Sequence, residues 1–212
     1  MTQGRDTNHG FTLIEMMIVL AIIGGVIAIS MPYITNRNSQ TKATLRQFVV
    51  LSRELHTKAK LQGATYRLVI NLQDESNGSK RPVQTYWVEK GKANTVLKPN
   101  EEADALQRAK DRKNDKDAPP DPAAFEVDPS FFKKPKELPP GLIFQKVELA
   151  RLQQPITSGK AFIHYLPQGL VDEAAIQLKG EKGALWTIAI HPLTGRAELI
   201  SKVIGLKELQ SQ

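Results

Sequence analysis

The sequence predicts an α+β protein, a long N-terminal helix packed on an antiparallel β-sheet head. Three observations predict it. Residues Phe11–Met31 form a near-continuous apolar run. The segment after it repeats apolar side chains three and four positions apart. Beyond Gly63, short stretches rich in Val, Ile and aromatic residues alternate with Gly, Pro, Asn and Asp.

Composition narrows the function classes. The 212 residues hold one ordinary domain together with a membrane segment, and 41% hydrophobic content supplies a core. The 29 Lys and Arg exceed the 22 Asp and Glu, for a net charge of +7. Acids are interspersed among the bases, so no basic stripe points to nucleic acid, and the excess equally serves solubility, anionic lipid or an acidic partner. Cysteine is absent, which excludes disulfides, thiolate metal ligands and cysteine nucleophiles without revealing the compartment.

The first element is the apolar run. Met1–Gly10 is polar, and FTLIEMMIVLAIIGGVIAISM follows, with Glu15 its one charge and Pro32 next. As a helix it would extend roughly 30 Å, the thickness of a bilayer core. A buried core helix would not need such length without a polar face. A cleavable secretory signal would have a shorter apolar core ending at a small-x-small site, whereas Met31-Pro32-Tyr33 follows here. A transmembrane helix over 11–32 is therefore expected. Glu15 inside it is costly unless paired, interfacial or protonated. In the first turn the helix dipole favours its charge, and snorkelling to the headgroups is the bland alternative.

Gly10-Phe11-Thr12-Leu13-Ile14-Glu15, followed by this run, resembles the class III signal of type IV pilins and type II secretion pseudopilins. The resemblance implies a leader, 1–10, cut after Gly10 by a membrane prepilin peptidase that also methylates the new amine of Phe11. It implies that Glu15 pairs with the amine of a neighbouring subunit, so that assembly neutralises a buried acid. Pro32 falls where the family commonly has a kink. The leader with Arg5 is expected to stay cytoplasmic and the remainder to cross the bacterial inner membrane, although Arg37 and Lys42 argue the other way.

The second element, 33–63, is expected to continue the helix amphipathically. Leu45, Phe48, Ser52, Leu55 and Ala59 make one stripe, Arg46, Arg53, Lys58 and Lys60 lie off it, and Gly63 stops it. His56, beside the stripe, reads as structural. The head, 64–212, is expected to contain strands at Thr65–Leu72, Val83–Glu89, Leu142–Leu149, Ala161–Leu166, Ala174–Leu178, Ala184–Ile190 and Arg196–Ile200. Residues 90–140 read as an insertion, a candidate partner surface or an inert loop. Within it Glu101–Lys116 suits a charged helix, and the seven prolines of Asp117–Pro140 argue against regular structure. Asn114, Asp115, Asp117 and Asp121 raise calcium, but Lys113, Lys116 and the prolines spoil the pattern, so no metal is expected.

The C-terminal strands carry a second resemblance. An aromatic strand, Pro167-x-Gly169, Ala174-x-Ile176-x-Leu178 and Trp186-x-Ile188-x-Ile190-x-Pro192-Leu193-Thr194-Gly195-Arg196 are similar to the end of GspH/FimT-type minor pseudopilins. Trp186, Ile188 and Ile190 should share one face, with Thr187, Ala189 and His191 on the other. The resemblances cover both ends of the chain and leave 90–140 unmatched.

No hydrolase, metalloprotease, phosphate-loop or dinucleotide motif occurs, so no catalytic residue and no cofactor are expected. His164 and His191 sit on predicted strands and could approach one another, and a structural role is the expectation. The leading functional expectation is a minor pseudopilin of a type II secretion system. Its partners would be other pseudopilins or pilins through the N-terminal helix, the prepilin peptidase and the inner-membrane assembly platform. The alternative is a type IV pilus minor pilin, for pilus assembly or DNA uptake. There Arg196 and Lys202 are the candidate nucleic-acid contacts, although Glu198 opposes phosphate and nucleic acid is not the expected partner.

Overall fold

A computed structural model describes residues 12–73, 83–91, 104 and 125–211, with side chains described for all of these except 29–38 and 182. The chain divides into two compact units, Met1–Gln40 and Thr41–Gln212. Helix α1, Leu13–Gln62, contributes to both. It runs continuously through Pro32, and the kink expected there falls on side chains outside those described.

In the second unit the helix buries one stripe. Leu45, Phe48, Ser52, Leu55 and Ala59 are almost wholly inaccessible, while Arg46, Arg53 and Lys60 are exposed. The spacing of three and four keeps the stripe on one face over four turns. The helix ends at Gly63, whose φ of 59° lets the chain turn back as Ala64 N–H bonds Ala59 O at 3.3 Å.

A helix followed by antiparallel sheets makes the fold α+β. The five-stranded sheet joins β1 (Tyr66–Asn71), β2 (Thr85–Gly91), β3 (Phe125–Val127), β4 (Lys136–Glu137) and β6 (Lys160–Tyr165). Its order is β3-β2-β1-β6, with β4 also on β2. The four-stranded sheet joins β5 (Ile143–Leu149), β7 (Ala174–Lys179), β8 (Leu185–Ile190) and β9 (Ala197–Ile200), in the order β5-β7-β8-β9. Every pairing is antiparallel. The chain thus enters the second sheet at β5, returns to the first for β6 and goes back for β7.

The two sheets meet the helix around Phe48. Its ring lies 4.5 Å from that of Tyr86 on β2 and 5.8 Å from that of Phe144 on β5. A buried amide links the sheets nearby: Gln84 Oε1 accepts from Phe144 N–H at 2.6 Å, and Gln84 Nε2 donates to Leu72 O at 2.8 Å. A buried polar side chain is tolerated there because its donors and acceptor are used.

The seven expected strands are present, with ends moved by one or two residues. The expectation against regular structure in Asp117–Pro140 needs correction, because β3 and β4 form there. Both are additions of two or three residues to β2. Pro129, Pro135 and Pro139 stand between and after them, where no ladder hydrogen bond is lost. The expected helix Glu101–Lys116, apart from Asp104, and the calcium candidates Asn114, Asp115, Asp117 and Asp121 lie outside the described residues.

Candidate functional site

The first unit presents the N-terminal part of α1. Gly10 and Phe11 lie outside the described residues. Thr12 caps the helix: its Oγ1 accepts from Glu15 N–H at 3.3 Å, and Met16 N–H bonds its carbonyl. Thr12-x-x-Glu15 is therefore the N-terminal half of a capping box, a signal in the sequence that the membrane reading passed over. Glu15 stands in the first turn, exposed, where the unpaired amides favour an anion.

All of residues 12–28 are exposed. Leu13 is 79% and Leu20 65% accessible, and Ile14, Ile18, Ile22 and Val26 are likewise open. An apolar helix surface open on every side is unfavourable in water and requires lipid or other helices around it. Among the described residues no helix is long and apolar enough to cross a membrane, so the expected span over 11–32 does not emerge from them.

In the second unit, two loops dock on α1. Ser52 Oγ donates to Gly195 O at 2.8 Å and accepts from Tyr165 O–H at 2.9 Å. Burial pushes the Tyr165 phenol well above its ordinary range, so it stays a neutral donor. One turn on, His56 Nε2 meets Gly169 O at 2.9 Å. The Pro-x-Gly and Pro-Leu-Thr-Gly turns are thus both helix-docking points. Gly195 has φ of 60°, and a Cβ there would sit 2.5 Å from His56 Cβ. Only glycine fits that approach.

His164 does not pair with His191. Its ring, 2% exposed as a residue, faces Asp172, with Nδ1 2.8 Å from Oδ2. The same oxygen accepts His164 N–H at 3.0 Å and Arg151 Nε at 3.2 Å. Burial alone would raise the Asp172 carboxyl, but the His164 ring and amide together with Arg151 hold it below the ordinary carboxylate range. Sequence reasoning missed Asp172. The signal was a His and an Asp eight residues apart across a Pro-x-Gly turn.

The last residues form a strap over the outer face of the four-stranded sheet. Thr187 Oγ1 donates to Lys202 O at 2.8 Å and accepts Ile204 N–H at 3.0 Å. Gln177 Nε2 donates to Ile204 O at 3.2 Å, and Glu148 Oε2 accepts Leu206 N–H at 2.8 Å at the start of helix α2, Leu206–Leu209. One polar side chain from each of β8, β7 and β5 pins the crossing. Ile188 and Ile190 share the core face with half-buried Trp186, whereas Thr187 on the opposite face is also fully buried, because the strap covers it. Arg196 and Lys202 are exposed and flank β9, with exposed Glu198 between them. Among the described residues no group of three or more His, Asp or Glu is placed to hold a metal.

Residues 5–31 match the model of the prokaryotic N-terminal methylation motif, the prepilin-type signal. No curated protein and no solved structure matches the chain.

Proposed function

We propose that the protein is a minor pseudopilin, a structural subunit of the periplasmic pseudopilus of a type II secretion system, without catalytic activity or cofactor. The observation that carries this is the methylation motif over residues 5–31, at the head of a helix whose apolar residues 12–28 are open on all sides. A peptidase would cut after Gly10 and methylate Phe11. The apolar part of α1 would anchor the chain once in the inner membrane, leaving a pilin-like head on the periplasmic side. On assembly, Glu15 would meet the amine of the adjoining subunit and the helix would pack among those of other pseudopilins. The assembly platform would receive it there. A head of this size favours a minor subunit, since bulky heads crowd a helical fibre. The same features serve a type IV pilus minor pilin, with or without DNA binding. The acidic Glu198 between Arg196 and Lys202 favours the secretion reading.

The test is processing in the native host. Intact mass should give a methylated chain starting at Phe11, and Gly10→Val should leave Met1–Gly10 attached. Recovery of Gly10→Val as a mature chain would overturn the proposal. Co-purification with a secretion pseudopilus or with a retractable pilus then separates the two systems.

A further inference from the structure

The sheet edges of the second unit are treated unequally. At β5, Val147 and Ile156 exchange both backbone hydrogen bonds, 2.9 and 2.8 Å, which closes the edge at its centre. At β6, His164 N–H goes to Asp172 Oδ2 and His164 O accepts Asp172 N–H at 2.9 Å. Phe162 O accepts Arg151 Nη2 at 3.0 Å. The Asp172 carboxylate and N–H and the Arg151 guanidinium thus occupy groups that would otherwise template another strand, a common protection of sheet edges.

Among the described residues no such protection is built at β9. His191 N–H bonds Arg196 O at 2.9 Å, and the register pairs Ala189 with Glu198 and Thr187 with Ile200. Alternation of the antiparallel ladder then turns the N–H and C=O of Ala197 and Leu199 away from β8, to the open edge. None of the four β9 residues is buried. Arg196 and Glu198, two positions apart on the outer face, are exposed, and neither side chain forms an ion pair among the described residues.

We propose that β9 is a homotypic contact, pairing antiparallel with β9 of a second copy about a two-fold axis at Ala197. The charges select both partner and register. With Ala197 opposite Ala197 of the second copy, each Arg196 lies opposite a Glu198, forming two reciprocal ion pairs. Moving the axis by one position sets Glu198 against Glu198, and like charges directly opposite are unfavourable. The contact joins the two four-stranded sheets into one. It contains one hydrogen-bonded residue pair flanked by two ion pairs, so it is populated when copies are held at high local concentration. It requires neither cleavage at Gly10 nor a fibre, and its failure would leave the subunit reading intact.

The absence of cysteine makes the register directly testable in the full chain. In the two-fold arrangement Arg196 and Glu198 of the second copy form a non-hydrogen-bonded pair with Cα atoms about 4.5 Å apart, within disulfide range. Full-length R196C and E198C in detergent, mixed and mildly oxidised, should give the 196–198 disulfide at least fivefold faster than either variant gives a homodisulfide. In sedimentation velocity the wild-type coefficient should rise with concentration, R196E should abolish the rise, and R196E/E198R should restore it. Equal rates in the mixed and single-variant samples, or sedimentation indifferent to R196E, would overturn the proposal.

Discussion

Two residues in the head show how differently a buried polar atom is treated. The Tyr86 hydroxyl, fully buried beside Phe48, Phe132 and Phe144, has no hydrogen-bond partner among the described residues. An unsatisfied buried hydroxyl costs about 1–3 kcal/mol. Tyr86→Phe is therefore expected to keep the ring packing and raise stability by about 1 kcal/mol, read as a higher urea midpoint at unchanged m-value. Asp172 is the opposite case, with three donors on one oxygen. Its carboxyl titrates lower folded than unfolded, so its contribution is complete above the ordinary carboxylate pKa of about 4 and is lost as pH falls through the lower folded value. Asp172→Asn should cost about 2 kcal/mol at pH 7 and flatten the acid limb of the stability-pH curve. An unchanged acid limb would remove Asp172 from that role.

At the scale of elements, polar side chains hold the C-terminal strap and the two docked turns in place. Thr187 serves two backbone groups of the strap with one hydroxyl. Thr187→Val keeps the shape and leaves Lys202 O and Ile204 N–H unpaired, an expected loss of about 2 kcal/mol. Hydrogen exchange at Ile204 should accelerate more than in β1, where the strand is paired on both sides. The helical stripe and the seven strands were legible because period 3.6 and period 2 are written in local residue order. The strap was not, since Lys202–Leu206 has no period and is ordered by atoms contributed from three separate strands. Likewise β3 and β4 are too short and too proline-flanked to signal themselves, and they exist because β2 offers them a partner.

At the scale of the molecule, the exposed apolar residues 12–28 and the closed core of the head make opposite demands on their surroundings. The head buries its apolar core within itself. The N-terminal segment needs an apolar environment, and a charged Glu15 within it is costly unless a positive group stands against it. Under the proposed function, Glu15→Val should be processed after Gly10 normally but enter fibres at least several-fold less than wild type. Quantitative blotting of sheared fibres against the membrane fraction measures this, and normal recovery would detach Glu15 from assembly.

The residue order by itself determined the α+β class, the stripe on α1, the positions of the seven longer strands and the methylation motif. Each of these depends on side-chain periodicity or on a contiguous motif. Only the tertiary structure decided that β5 and β6 belong to different sheets and that Asp172 rather than His191 faces His164. It also decided that Gly195 is pressed against His56 and that, among the described residues, β9 lacks the edge partners that β5 and β6 have. Those facts rest on hydrogen bonds and steric approaches between residues far apart in the chain, whose energies exist only once the backbone has closed around them.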